Sequence, residues 1–268
     1  MPYVDSTHGK VYYNVIGQGP PLLMLHGLSR SSRHWEGFDS RLAHNFTVIT
    51  VDCRGIGRSH SNLSWKDSTQ DLAEEASLVL KHLKIARAHL FGMSLGGMVA
   101  LTFGLKYPHL TESIVVANTS TSGLNTLRVY PQAIGAMAIG AAIPQFLHPI
   151  MVHMCTCPET SSPQKQEFVD RWRTIDKEEG VRYLSTIKQL LIATKFRKGI
   201  GLGQLSKPTL IVYGQKDRFV PPSNSHALFD LLPKAELKPI LGTGHEIIIE
   251  KPKELADSIV NFIDRLER

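Results

Sequence analysis

Short apolar runs alternate with longer segments of helical periodicity at both ends of the chain, and the alternation stops in the middle. Apolar, often β-branched runs over 11–15, 21–26, 46–52, 89–93, 113–118, 209–213 and 236–240 predict strands. Apolar positions recurring every three or four residues predict helices over 35–44, 67–83, 95–106, 223–231 and 252–266; in 67–83 the stripe is Leu72, Ala76, Val79, Leu80 and Leu83. Such alternation predicts an α/β fold, a mostly parallel doubly wound sheet covered by helices on both faces. From 121 to 205 the pattern is helical with no interleaved strand. Residues 1–120 and 206–268 are therefore expected to form one core, and 121–205 an inserted helical cap.

Composition narrows the setting. The 268 residues are 42% hydrophobic with charges of both signs, enough chain for a full core and the wrong balance for disorder. Three cysteines, Cys53, Cys155 and Cys157, make no disulfide framework, and a reducing cytoplasm is expected. The apolar run at 22–25 is too short for a secretory signal. Residues 129–158 lack Asp, Glu, Lys and Arg, but Pro131, Pro144 and Pro149 interrupt them, so no membrane span is expected. The net charge of +6 is scattered, with no basic block for nucleic acid. Residues 121–205 carry ten Lys/Arg against six Asp/Glu. A positive cap would favour acid-bearing substrates or an acidic acyl carrier protein as partner. A solvated helix face is the plainer account of the same charges.

The chemistry concentrates at Gly92-Met93-Ser94-Leu95-Gly96-Gly97, with a predicted strand before and a helix after. A strand-to-helix turn this sharp needs Gly92 and Gly96 so that Ser94 can be held clear of the backbone, and the helix N-terminus favours developing negative charge. A serine nucleophile needs a base, and the base needs an orienting acid. His245 lies in the Gly242-Thr243-Gly244-His245 loop after the last strand, and Asp217 follows the strand at 209–213. Asp52 precedes the nucleophile and is expected to brace the turn at 54–59. Asn118 cannot supply a carboxylate. The backbone N–H groups of Leu95 and Leu28 are the expected oxyanion donors, with His26 a structural neighbour. No metal and no cofactor is expected: His148, His153, Cys155 and Cys157 match no zinc spacing, His245-Glu246 lacks the second histidine of a zinc motif, and no strand precedes the glycines at 199–203.

Taken together, His26-Gly27-Leu28, Asp52-Cys53-Arg54-Gly55-Ile56-Gly57-Arg58-Ser59, the Gly92 to Gly97 turn, Gly214…Asp217…Val220-Pro221 and Gly244-His245 resemble the α/β-hydrolase superfamily, in its capped, esterase-like branch. The resemblance implies a Ser94–His245–Asp217 triad and an oxyanion hole at Leu28 and Leu95. It leaves the substrate open, because this fold hosts many chemistries. Serine rather than aspartate at the turn argues against its dehalogenase and epoxide-hydrolase branches. The expected activity is hydrolysis of a carboxylic ester or related acyl bond of a small molecule through an acyl-enzyme. Acyl transfer, perhydrolysis and a ligand receptor with little turnover are the alternatives. Leu124, Met137, Ile143, Phe146, Leu147, Met151 and Met154 are expected to line an apolar pocket under the cap.

Overall fold

In a computed structural model, residues 2–59, 62–121, 129–180, 183–196 and 201–268 are described. Eight strands form one sheet: β1 (Tyr3–Ser6), β2 (Gly9–Ile16), β3 (Pro21–Leu25), β4 (Thr47–Val51), β5 (Ala88–Met93), β6 (Thr111–Ala117), β7 (Thr209–Gly214) and β8 (Ala235–Ile240). Their order is β1-β2-β4-β3-β5-β6-β7-β8, with β1 and β2 antiparallel to their neighbours and every pairing from β4 to β8 parallel.

The inner strands are apolar on both faces because helices cover both. Leu23, Leu25, Leu90, Val116 and Ile211 point into a core closed by α2 (Thr69–His82) and α3 (Leu95–Lys106). Leu22, Met24, Phe91, Val115 and Val212 point into a second core under α1 (Phe38–Leu42) and α10 (Pro252–Glu267). The twofold alternation along each strand feeds both layers, so both faces are mostly apolar, and a buried polar pair such as His89 and Ser113 satisfies itself at 2.8 Å. In α10, Leu255, Ile259, Phe262 and Ile263 make one buried helical stripe.

Two expectations change. β1 carries no periodicity of its own and is added at the sheet edge by its antiparallel pairing with β2. The helix expected over 35–44 is broken: a 3₁₀ turn at Ser32–Trp35 precedes α1, and Glu36 (φ 50°) and Gly37 (φ 84°) between them are both left-handed. Two such residues in succession cannot continue a right-handed helix.

Between β6 and β7 lie α4 (Pro131–Ala142), α5 (Leu147–Cys155), α6 (Ser162–Glu179) and α7 (Tyr183–Lys195), with no strand among the described residues. Among the described residues no helix is long and apolar enough to cross a membrane.

The register aligns the carboxyl ends of the central strands, with Leu25 beside Gly92, Met93 beside Ala117 and Ala117 beside Val212. The chain leaves β3 for β4 on one side and later returns to β5 on the other. That reversal opens a crevice beyond the carboxyl ends of the strands, the place where such sheets hold ligands.

Candidate functional site

The connections that follow β3, β4, β5, β6, β7 and β8 meet at this edge. Ser94 sits between β5 and α3 at φ 53° and ψ −116°, a conformation costly for a residue with a Cβ. The surroundings impose it. Ser94 N–H donates to the Ala117 carbonyl at 2.8 Å, and Thr119 Oγ1 donates to the Ser94 carbonyl at 2.8 Å. The turn closes so tightly that a Cβ on Gly96 would collide with the Leu25 carbonyl, and one on Gly92 with the Gly96 carbonyl. Leu95 opens α3, so its N–H has no partner within the helix.

The loop after β3 faces this turn. A Cβ on Gly27 would stand 3.5 Å from Ser94 Cβ. His26 is buried, with Nδ1 donating to the Gly27 carbonyl at 3.1 Å and Nε2 accepting from Cys53 N–H at 3.2 Å. Burial lowers its pKa, and this neutral imidazole ties the loop to the one after β4. Beyond Leu28, Ser29 N–H donates to Gln189 Oε1 at 2.7 Å, and Ser29 Oγ lies 2.5 Å from Thr186 Oγ1, so α7 holds the loop from above. Asp52 braces the turn after β4, accepting from Arg58 N–H at 2.9 Å. It also reaches across to Ser32 N–H at 2.7 Å.

His245 and Asp217 are both buried, with Nδ1 of the one 2.8 Å from Oδ2 of the other. Asp217 Oδ1 accepts from Phe219 and Val220 N–H at 2.7 and 2.8 Å, which fixes the carboxylate and leaves Oδ2 for the imidazole. Burial disfavours the His245 imidazolium, but the Asp217 charge, its hydrogen bond and the Glu246 charge outweigh burial. The His245 pKa is therefore raised above the ordinary histidine value.

Asn118, set aside from sequence as unable to act as an acid, joins these two loops. At φ 46° it follows β6, where its Nδ2 donates to the Gly244 and His245 carbonyls at 3.1 and 2.6 Å. Its Oδ1 accepts from Gly214 N–H at 2.8 Å. One amide thus uses both of its ends to hold the His245 loop against the strand that leads to Asp217. Glu250, at the end of α9 (Ile247–Glu250), adds a second anchor, accepting from Gly244 and Cys157 N–H, each at 2.7 Å. Gln189 and Glu250 give no sequence signal, because their partners are distant in the chain. Asn118 was visible only as a polar residue at a strand end.

Ser94, His245, Leu28, Trp35, Trp172 and Phe219 are among the residues lining one cavity of about 50 Å³. A neighbouring cavity of about 190 Å³ shares Leu28, Arg30, His34, Met151 and Trp172 with it. Of the expected pocket side chains, Met137, Leu147 and Met151 line the larger cavity. Ile143 and Phe146 do not: where α4 ends and the chain turns, they stand 42% and 46% exposed. Met154 packs instead against Ala133, Cys155, Phe219 and Val220. Leu124 lies outside the described residues.

Several of the cations expected to make 121–205 positive are engaged by other groups of the protein. Arg171 pairs with Glu36 and Glu167, Arg173 with Asp170, and the Lys188 and Lys195 ammonium groups donate to carbonyls of 63–67. Arg128, Arg182, Arg197 and Lys198, and the first two residues of the glycine stretch at 199–203, lie outside the described residues. His148 is paired with Asp176 at 2.7 Å, and Cys157 Sγ donates to Glu159 at 2.7 Å.

Known proteins are similar to this chain over nearly their whole length. "Putative carbamate hydrolase RutD" of Agrobacterium fabrum is 24% identical over 267 residues, covering 96% of this chain and 97% of that protein. The 2-hydroxy-6-oxononadienedioate/2-hydroxy-6-oxononatrienedioate hydrolase of Burkholderia vietnamiensis is 26% identical, covering 97% and 93%. The crystal structure of the enol-lactonase from Burkholderia xenovorans superposes with a TM-score of 0.83 at 18% identity, covering 98% of this chain and all of that one. Residues 20–252 match the family described as the alpha/beta hydrolase fold, and the chain belongs to that family.

Proposed function

We propose that the protein is a serine hydrolase that cleaves an ester or related acyl bond of a small molecule through an acyl-enzyme. The observation that carries this reading is that Ser94, in its strained turn, and His245, paired with Asp217, line the same cavity. In this mechanism Ser94 Oγ attacks the carbonyl carbon while His245 Nε2 takes the hydroxyl proton. The imidazolium so formed is stabilised by Asp217, and its proton passes to the leaving group. Water then enters, His245 takes a proton from it, and the hydroxide attacks the acyl carbonyl, releasing the acid and restoring Ser94. The Leu28 and Leu95 N–H groups hold the oxyanion in both halves, next to the positive end of the α3 dipole. Residues 121–205 act as the cap that encloses the substrate.

The names of the relatives, a putative carbamate hydrolase and a hydrolase of oxo-substituted dienedioates, widen the candidate substrates beyond simple esters. The test is steady-state turnover of p-nitrophenyl esters of increasing acyl length beside a p-nitrophenyl carbamate, with and without a competing alcohol. Many turnovers to free acid are expected for at least one series. One stoichiometric release without further turnover would point to a receptor, and ester formation with the alcohol in preference to acid would point to an acyltransferase.

Asn118 is in this reading a positioning residue. Asn118→Ala is expected to lower kcat about 10-fold to 100-fold with a smaller change in KM, because it releases the His245 loop without touching substrate. The acid limb of kcat/KM should move as well, since the separation of His245 from Asp217 sets the histidine pKa. A variant with altered melting temperature but an unchanged pH profile would reduce Asn118 to a structural residue.

A further inference from the structure

Beyond the Ser94 cavity, the wall of the larger one is mostly apolar, with Met137, Leu147, Met151, Ile187 and Leu190 among its side chains. A polar pair interrupts it. His148, from the first turn of α5, and Asp176, from the last turn of α6, both line this cavity, and His148 Nε2 donates to Asp176 Oδ2 at 2.7 Å. Neither lines the Ser94 cavity. Unlike the buried groups around Ser94, this pair has surface to offer, with side chains 12% and 23% exposed. Nε2 and Oδ2 satisfy each other. His148 Nδ1 and Asp176 Oδ1 are left without a hydrogen-bond partner among the described residues, and neither atom is shut off from solvent.

Nearby polar groups of the same wall are already engaged. Ser29 Oγ and Thr186 Oγ1 face each other at 2.5 Å, and the Arg30 guanidinium lies 3.5 Å above the Trp172 ring with a nitrogen 3.3 Å from Glu246 Oε1. The chemistry of the pair selects what it can take. In a neutral imidazole whose Nε2–H points at the carboxylate, Nδ1 accepts; in an imidazolium, Nδ1 donates. A hydroxyl serves both states, whereas an ammonium serves only the first and a carbonyl or ether oxygen only the second. A carboxylate would meet Asp176 and Glu179 in this wall with Arg30 already countered by Glu246. Either ion would also surrender its hydration to a mostly apolar surface.

We propose that His148 and Asp176 form a distal hydroxyl site of the substrate cavity, so that the preferred substrates carry a hydroxyl separated from the scissile carbonyl by a hydrocarbon spacer. The inference rests on the hydrolase reading above. A polar site of this kind penalises the analogue that lacks the hydroxyl. The apolar wall alone predicts the opposite order, because a hydroxyl costs more to dehydrate than the methyl group that replaces it. Since the pair lies outside the Ser94 cavity, a hydroxyl on the carbon next to the carbonyl should gain nothing.

The test compares esters in which a terminal hydroxyl replaces a methyl group, each rate divided by that ester's alkaline hydrolysis rate. On the acyl side, ethyl ω-hydroxyhexanoate and ω-hydroxyoctanoate are set against ethyl heptanoate and nonanoate. On the alcohol side, ω-hydroxyhexyl acetate is set against heptyl acetate. Ethyl glycolate against ethyl propanoate is the short control, and ethyl ω-aminohexanoate and monoethyl pimelate are the charged arms. The wild type is expected to favour the hydroxy ester about 10-fold or more in kcat/KM in at least one long arm, with a ratio near one in the short control. His148→Leu should bring the long-arm ratio to one or below. Asp176→Asn, which keeps an oxygen to accept Nε2–H, should retain part of it. Methyl-terminated esters equal or better in every long wild-type arm would overturn the proposal, with no variant needed. So would a preference that is largest in the short control, or one exceeded by either charged ester. A ratio that survives in His148→Leu, whatever happens to its melting temperature, would reduce the pair to a staple between α5 and α6. Failure to hydrolyse any ester would sink the hydrolase reading itself, whereas hydrolysis without the hydroxyl preference sinks only this inference.

Discussion

Replacing Ser94 by alanine is expected to lower kcat by at least about 10⁴-fold on any ester that the wild type turns over. In the proposed mechanism the nucleophile is lost while the Cβ remains, and the backbone strain at φ 53° is the same for alanine as for serine. The fold should therefore persist, with an unchanged circular dichroism spectrum and a melting temperature within a few degrees. Residual rate would come from the Leu28 and Leu95 donors and from substrate positioning alone. Purified variant retaining more than a few per cent of wild-type kcat would mean that the attacking group lies elsewhere. An active-site serine reagent such as a fluorophosphonate should label the peptide containing Ser94 in the wild type, and in Ser94→Ala it should label nothing.

Replacing Asp217 by asparagine is expected to cost nearly as much, about 10⁴-fold in kcat, for a different reason. The asparagine amide can present its NH₂ to Nδ1, which would leave the proton on Nε2, the atom that must be free to accept. The pH dependence separates this variant from mere misfolding. In the wild type kcat/KM should rise with pH as His245 loses its proton, with a midpoint above the ordinary histidine value because Asp217 and Glu246 together outweigh burial. Removing the Asp217 charge leaves the burial of His245 less opposed, so the acid limb of the residual activity should move to lower pH. A limb that stays in place would assign the raised pKa to another carboxylate.

Local pattern and distant contact divide what could be read from the chain. The bounds of α3 and α8 (Ser223–Leu231) agree with those expected: α8 buries Asn224, Ser225 and Leu228 on one face, three and four residues apart, whereas α3 is a continuous buried run that ends at the charged Lys106. The Ser94 turn was legible because its signal is local: two glycines, a strand and a helix lie together between Ala88 and Lys106. The helix expected at 35–44 failed at Glu36, whose left-handed conformation no neighbour announces. Gln189 was invisible, since it accepts from a backbone N–H 160 positions earlier, and Glu250 supports a segment 93 positions before it. The role of Asn118 required knowing that Gly214, Gly244 and His245 converge at the end of β6. Ile143 and Phe146 were misplaced because an apolar helix with no polar stripe gives no direction to its faces.

The anchoring of the active-site loops bears on protein engineering. Helices inserted in a hydrolase are tempting parts to exchange or trim when a wider substrate range is wanted. Here Gln189 grips the backbone beside Leu28, while Cys155 and Cys157 contribute a carbonyl and an N–H that clasp Glu246 and Glu250 around His245. A transplant that swaps 121–205 as a unit would therefore change the alignment of the Leu28 loop with His245 along with the pocket. A chimera would need to carry the acceptor for Ser29 and the partners of Glu246 and Glu250 across its junctions, or its altered selectivity would be confounded with a general loss of rate.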